Sequence, residues 1–234
     1  MASSYKISEY KATAQIMHNC RMLFEKNPSY DISRSIKNEL LTMQGYKIVY
    51  TTPDALEAKY KKRFLEGIPA KRKNLNTLVE WVVTLPKNVP KEKERDFFQS
   101  VIKFTVARYG YDNFVGAAIH RDEPTARPHI HLDFVPAVRK MEVDKEMKAE
   151  LRFERDEKIA ALKTNPPSIL PIADLKTKID EIKKKYKEDI ANLPKLEAGL
   201  KISAKKVLTL KDLKTFHPDL QKFCAEQLGF TPEI

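Results

Sequence analysis

Two short apolar stretches flank a polar, proline-containing loop near the middle of the chain. Residues 113–119 and 130–135 are rich in apolar and β-branched side chains. This pattern predicts two strands joined as a hairpin. Because side chains on a strand alternate between its faces, His129 and His131 must point the same way. The antiparallel partner strand can bring His120 opposite them.

Strands and helices alternate in the rest of the first half. Residues 78–85 form the clearest predicted strand, since they are rich in β-branched side chains, and amphipathic helices are predicted at 54–66 and 92–109. Residues 5–17 are mixed in pattern, and a strand is favoured there. This order is typical of an α+β fold with a central antiparallel sheet and helices packed on it.

The composition changes at Arg139. Residues 140–162 and 173–193 are dense in Lys, Glu and Asp, with Leu and Ile at helical spacing, and the double proline within 165–168 separates them. A charged helical hairpin is therefore expected.

This hairpin interrupts what is expected to be one catalytic domain. We assign residues 139–199 to the insertion and residues 1–138 with 200–234 to the domain that receives it. After the insertion, the pattern predicts a strand at 200–207 and a helix at 210–228 that a proline interrupts.

The charge balance favours a polyanionic partner. The 234 residues contain 43 Lys and Arg against 32 Asp and Glu, a net charge of +11, and nucleic acid is the first candidate for such an excess. No apolar run approaches the roughly 18 to 20 residues that span a bilayer, so a cytoplasmic protein without stable membrane insertion is expected. Cys20 and Cys224 are too few and too far apart to suggest a disulfide scaffold.

Three of the five histidines, His120, His129 and His131, lie within twelve residues. Three imidazoles with no cysteine nearby describe a divalent cation site with positions left open for substrate. Alternatively, the His-x-His pair is only half-buried and hydrogen-bonded. The density of histidines and the adjacent Asp122 and Glu123 favour the cation site, which could stabilise the charge that develops in a phosphoryl transfer.

Several motifs resemble those of one family. His120-x-Asp122-Glu123, followed by Pro128-His129-x-His131, resembles the His-x-Asp-Glu-x-x-Pro-His-x-His signature of the Mob/Pre plasmid mobilisation relaxases, the MobV class of the HUH endonuclease superfamily. Further similar stretches, in family order, are His18-Asn19-x-Arg21, Asp31 to Ser35 with Asn38, Glu80-Trp81, and Lys201 to Lys205. Two features differ: four residues separate Glu123 from Pro128 where the family has two, and the insertion has no counterpart in these motifs.

The resemblance implies a ligand set and a nucleophile. His120, His129 and His131 would bind a divalent cation, Mn²⁺ or Mg²⁺. His18 would attack the scissile phosphate and hold the 5′ end as a phosphoramidate while a 3′-OH departs. A neutral histidine, the form that can attack, is available near neutral pH.

The resemblance also implies supporting roles. Glu123, or alternatively Asp122, would hydrogen-bond the other ring nitrogen of His18, and Arg21 would contact the phosphate. The residues expected to contact DNA are Asn19, Arg34, Asn38, Lys71, Arg72, Lys73 and Arg127.

The implied function is nicking and rejoining of one DNA strand at a transfer origin (oriT) during conjugative mobilisation. Its partners would be single-stranded or hairpin origin DNA and the conjugation coupling machinery, and residues 139–199 would either be solvated or clamp DNA or a partner protein. Two alternatives stay open. One is an HUH replication initiator or transposase that uses Tyr46, Tyr50 or Tyr60. The other is a sequence-specific DNA-binding protein without catalysis.

Overall fold

The computed structural model describes residues 2–23, 29–68, 74–164 and 172–234. The chain forms two compact units, one from the residues up to Val138 together with Leu200–Ile234 and the other from Arg139–Gly199. No helix in the described ranges is long and apolar enough to cross a membrane.

The strands and helices occur in the following order along the chain. They are β1 (Ala2–Ser8), α1 (Glu9–Asn19), β2 (Glu39–Gln44), β3 (Lys47–Tyr50), α2 (Pro53–Glu66), β4 (Gly67–Ile68), β5 (Asn76–Thr84), α3 (Glu94–Tyr109), β6 (Phe114–His120), β7 (His129–Phe134), β8 (Ala137–Val143), α4 (Lys145–Thr164), α5 (Ile172–Asn192), β9 (Lys195–Ile202), α6 (Ala204–Val207) and α7 (Leu210–Leu228). Short 3₁₀ helices occur at Ile32–Lys37, Lys91–Lys93 and Tyr111–Asn113.

A six-stranded sheet in the order β1-β5-β7-β6-β2-β3 forms the centre of the first unit, and all its pairings are antiparallel. The predicted hairpin of β6 and β7 lies in the middle of this sheet. The predicted α+β class, with helices packed on an antiparallel sheet, is confirmed. A smaller sheet has the order β4-β9-β8.

The two faces of the sheet support different layers. Alternate residues of β7, namely Ile130, Leu132 and Phe134, enter the core that also contains buried side chains of α3 and α7. There Trp81 stacks on Phe216, with ring centroids 3.5 Å apart. A second core, formed with α1 and α2, lies on the other face. The histidines of β7 alternate with its apolar residues and therefore lie on the face that α1 and α2 cover.

The strand predicted at 5–17 is wrong beyond Ser8, because a helix begins at Glu9. Ala12, Ile16 and Asn19 are the buried residues of this helix, and they recur at helical spacing. The amphipathic pattern of α1 therefore prevails over the β-branched residues within it.

Two predictions near the C-terminus also need correction. The strand predicted at 200–207 ends at Ile202 and is followed by the short helix α6. Helix α7 continues through Pro218, because a proline removes one backbone hydrogen bond while Phe216, Leu220 and Cys224 remain buried on a single helix face.

The second unit contains the two predicted charged helices, α4 and α5, which pack against each other. No residue of α4 is buried, and Arg155 lies over the ring of Tyr186 at 4.5 Å from its centroid. The predicted break at 165–168 lies outside the described residues.

Candidate metal centre and active site

Three histidines meet at one end of β6 and β7. His120, the last residue of β6, pairs with His129, the first residue of β7, and His131 follows on the same face. The centroid of the His120 ring lies 5.2 Å from that of the His129 ring and 4.6 Å from that of the His131 ring. One ring nitrogen from each histidine lies within 4.8 Å of the other two. The structure therefore brings the three predicted ligands together.

Hydrogen bonds outside the cluster orient two of these rings. His131 Nδ1 lies 2.6 Å from Glu80 Oε1, and His129 Nδ1 lies 3.0 Å from the carbonyl oxygen of Arg127. Because both oxygens can only accept, each Nδ1 carries the proton and the lone pair is on Nε2. Metal-binding histidines use this arrangement to fix the ring and the tautomer.

In His120 the proton is on the other ring nitrogen, Nε2. Its Nε2 donates to the carbonyl oxygen of Asn19 at 2.7 Å, which leaves the lone pair on Nδ1. That Nδ1 lies 3.1 Å from an Arg21 nitrogen and 3.8 Å from Glu123 Oε1. Burial, with smaller contributions from the nearby His131 and Arg21, lowers the pKa of His120 to about 3.

The donor set fits a divalent cation. Burial also lowers the pKa of His129, so that the neutral imidazole, the form that binds metals, is favoured at His120 and His129. Glu123 Oε1 lies 3.6 Å from His129 Nε2, on the side of the cluster where the lone pairs are directed. Nitrogen ligands with a carboxylate at the edge suit first-row divalent metals.

Two buried carboxylates lie behind the cluster. Asn19 Nδ2 donates to Glu80 Oε1 at 2.8 Å and to Asp133 Oδ2 at 3.1 Å. Burial, followed by the neighbouring charge of Glu80, raises the pKa of Asp133 well above its usual range. The side chain of Asn19, which is 2% exposed, therefore holds this pair together, a role different from the predicted DNA contact. Sequence reasoning missed Asp133, although its alternation with His129 and His131 places it on their face.

Arg21 connects the end of α1 to the loop after β6. Its guanidinium donates to both oxygens of Asp122, at 3.0 and 2.9 Å, and to Glu123 Oε1 at 2.8 Å. Asp122 also accepts from Ser35 Oγ at 2.8 Å and Asn38 Nδ2 at 2.7 Å. These donors hold the pKa of Asp122 below its usual range despite its burial. Asp122 is thus the centre of a hydrogen-bond network, whereas Glu123 faces the histidines.

His18 lies in the last turn of α1, half-buried. Its carbonyl oxygen accepts from the backbone N–H of Arg21 at 2.9 Å, and the carbonyl of the next residue, Asn19, contacts His120. The end of α1 therefore brings the predicted nucleophile's backbone beside the histidine cluster.

The other predicted DNA contacts are distributed around this centre. Arg34 is exposed on the first 3₁₀ helix. The amide oxygen of Asn38 accepts from the backbone of Arg121 at 2.8 Å, so both ends of this amide contact protein. Arg127, although exposed, donates to two backbone carbonyls of residues 85 and 86. Lys71, Arg72 and Lys73 lie outside the described residues.

The three alternative tyrosines lie elsewhere in the described structure. Tyr60 is buried and hydrogen-bonds Thr77, Tyr50 donates to Glu39, and Tyr46 is fully exposed. None of them lines the groove at the histidines, which in the described part of the chain is bordered by residues of β1 and α1 instead.

The site thus consists of a His-Ile-His pair on one central strand of an antiparallel sheet, a third histidine on the next strand and a helix that covers them. The chain belongs to the Mob_Pre family, described as plasmid recombination enzymes, whose model matches residues 5–178. The predicted family is thus confirmed. The family match extends into α5, and so includes part of the 139–199 segment. The sequence motifs alone had no counterpart for that segment.

Curated relatives agree with this assignment. A plasmid recombination enzyme of Bacillus thuringiensis is 33% identical over 150 residues, covering 61% of this chain and 31% of the relative. One from Streptococcus agalactiae is 31% identical over 125 residues, covering 51% of this chain and 24% of the relative. The chain thus spans about a third of the length of the curated relatives it matches, or less.

Solved structures agree on the fold. The Mn-bound MobM relaxase domain in complex with plasmid pMV158 oriT DNA superposes with a TM-score of 0.58 at 20% identity, covering 100% of this chain and 88% of that one. A second MobM complex with the same origin DNA gives a TM-score of 0.57 at 20% identity, with the same coverage.

Proposed function

We propose that this chain is a metal-dependent DNA relaxase that nicks and rejoins one strand at a transfer origin, for conjugative mobilisation in the cytoplasm. The observation that carries the proposal is the convergence of three histidines beside the end of α1, where His18 and Arg21 lie. Family membership and the net charge of +11 support DNA as the substrate.

The chemistry follows from these residues. His120, His129 and His131 would hold Mn²⁺ or Mg²⁺, which supplies a positive charge for a phosphate oxygen. A neutral His18 nitrogen attacks the scissile phosphorus, so that an N–P bond forms while the bond from phosphorus to the 3′ oxygen breaks. The 5′ phosphate remains on His18, and attack by a 3′-OH reverses the step and rejoins the strand.

Glu123 and Arg21 would support this step. Glu123 is part-exposed and lies beside the histidine cluster, and we infer that it would accept a hydrogen bond from the second His18 nitrogen. Arg21 holds Glu123 and Asp122 in position, and its guanidinium suits a phosphate oxygen. Origin DNA in single-stranded or hairpin form would be one partner, and conjugation coupling machinery would be another. The helical unit of residues 139–199 would clamp the DNA or a partner protein.

Trapping the covalent intermediate tests the proposal. The parent and His18→Ala are incubated with Mn²⁺ and a suicide oligonucleotide from the DNA that flanks the gene for this chain. An acid-labile adduct that His18→Ala lacks is the expected result, since a phosphoramidate hydrolyses in acid. His217→Ala is the matched control, because His217 accepts from the backbone of Ala2 and lies at the edge of Trp81.

Two outcomes would contradict the proposal in different ways. An acid-stable adduct on a tyrosine would identify a tyrosine-using initiator or transposase. DNA binding without any adduct, together with equal or absent Mn²⁺ binding in the parent and His129→Ala, would leave a sequence-specific DNA-binding protein.

A further inference from the structure

A groove of about 570 Å³ runs from the histidine cluster to the start of the chain. One end is formed by Glu123, His129 and His131, and the other by the junction of β1 and α1. Its size is within the ordinary range for ligand sites, roughly 300 to 1,000 Å³. The groove therefore extends the candidate active site along the sheet towards β1.

The register of the sheet explains why β1 contributes to this groove. Tyr5 pairs with Glu80 across β1 and β5, and Glu80 pairs with Asp133 across β5 and β7. Directly paired residues lie on the same face, so the Tyr5 side chain emerges on the face that carries His129 and His131. Two strand spacings of about 4.8 Å separate β1 from β7, a total of roughly 10 Å, or about three base steps at the 3.4 Å rise of one strand.

The far end of the groove combines two exposed aromatic rings with a lysine. Tyr5 is 52% exposed and Tyr10 is 73% exposed, which is high for large side chains beside a cavity. Lys11 lines the same groove, and its Nζ lies 5.7 Å from the centroid of the Tyr10 ring. Proteins that bind single-stranded nucleic acid combine exposed aromatic rings, on which bases stack, with positive side chains that contact the backbone.

We propose that this groove binds the single-stranded DNA next to the scissile phosphate, with bases stacked on Tyr5 and Tyr10 and a backbone phosphate on Lys11. This inference rests on the proposed function, since it needs a DNA strand at the histidines. Stacking is tolerant of base identity, so the groove holds the strand in place while sequence is recognised elsewhere.

Equilibrium binding without metal tests the groove separately from catalysis. The probe is a fluorescein-labelled oligothymidine of about 12 nucleotides, a length within the usual range of such sites. Stacking on one aromatic ring is worth about a factor of ten in affinity, so Tyr5→Ala and Tyr10→Ala should each raise Kd about ten-fold. Tyr46→Ala is the matched control, because Tyr46 is fully exposed and lies in the turn between β2 and β3.

Two further measurements separate stacking from charge. With an abasic strand of the same length, the Tyr5→Ala variant should lose little further affinity relative to the parent, because no base remains to stack. Lys11→Ala should lower the slope of log Kd against log salt concentration by about 0.7, the value for one phosphate contact on a single strand.

The outcomes distinguish this inference from the proposed function. Equal Kd values for the parent, Tyr5→Ala and Tyr10→Ala would overturn the groove assignment. That result would count against the groove even if the parent forms the His18 adduct. A ten-fold loss in both variants, with Tyr46→Ala unchanged, supports it, even if no adduct forms. A slope that Lys11→Ala leaves unchanged would remove the phosphate contact from the assignment.

Discussion

Replacing Glu80 tests whether the buried carboxylate orients a metal ligand. Glu80 Oε1 lies 2.6 Å from His131 Nδ1 and also accepts from Asn19 at 2.8 Å. In Glu80→Gln the amide oxygen keeps an acceptor for His131 but loses the negative charge that makes the ring a stronger donor to a cation. In Glu80→Ala both the charge and the acceptor are lost.

Changes to such outer partners typically weaken metal binding 10- to 100-fold, which is about 1.4 to 2.7 kcal/mol. We therefore expect Glu80→Gln to raise the Kd for Mn²⁺ about 10-fold and Glu80→Ala about 100-fold. Stability without metal should respond differently. Burial, followed by the charge of Glu80, raises the pKa of Asp133, and Glu80→Gln removes the second of these causes, so it should not destabilise the protein. Glu80→Ala leaves His131 Nδ1 without its acceptor and should cost about 1 to 3 kcal/mol.

Titration calorimetry with MnCl₂ gives the first quantity, and urea unfolding in EDTA gives the second. Asp212→Asn is the control, because Asp212 accepts from Arg108 at 2.7 Å, between α3 and α7. It should lower stability without changing Mn²⁺ affinity. If Glu80→Gln binds Mn²⁺ within two-fold of the parent, Glu80 does not orient a metal ligand.

Three further predictions concern the frame of the site. Asp122→Ala should lose about 3 to 5 kcal/mol in urea unfolding followed by Trp81 fluorescence, since the buried Arg21 loses its bidentate partner; a loss below about 1 kcal/mol would contradict the network. Gly116→Ala should lose about 1 to 3 kcal/mol, because the new Cβ would lie 2.2 Å from Leu56 Cδ2 and 2.9 Å from the Leu41 carbonyl oxygen. In a protein that already carries Leu56→Ala, the Gly116→Ala change should cost less than it does in the parent. If the two single losses simply add in the double variant, the clash with Leu56 is refuted. Mn²⁺ at about 100 times its Kd should stabilise the parent by about 2.7 kcal/mol, an increment that EDTA removes and that His129→Ala lacks; an equal increment in His129→Ala would place the ion elsewhere.

The local pattern of the sequence predicted the centre of the site better than its surroundings. Alternation along β7 was enough to place His129 and His131 on one face, and a short hairpin brings His120 to them. Glu80 reaches His131 across 51 residues of sequence, and that contact depends on the register of β5 against β7, which no local pattern encodes. The groove residues of β1 could not be predicted for the same reason, because their position depends on the pairing of β1 with β5 at the edge of the sheet.

The end of α1 is where the two halves of the site are joined, and its backbone is strained there. Arg21 has φ of 58°, the left-handed region, and it is the one non-glycine residue of the described ranges with a positive φ. Such a conformation costs of order 1 to 3 kcal/mol and persists only where surrounding contacts determine it. Here the contacts are the fork to Asp122, the bond to Glu123, and the ring of Tyr30, whose centroid lies 4.2 Å from the guanidinium carbon. The strain turns the chain sharply after α1, so that the guanidinium points back to His120 and Glu123 while His18 remains in the helix. The Arg21 guanidinium and the carbonyl oxygen of Asn19, which both contact His120, thus join the end of α1 to the histidine hairpin about a hundred residues later in the sequence.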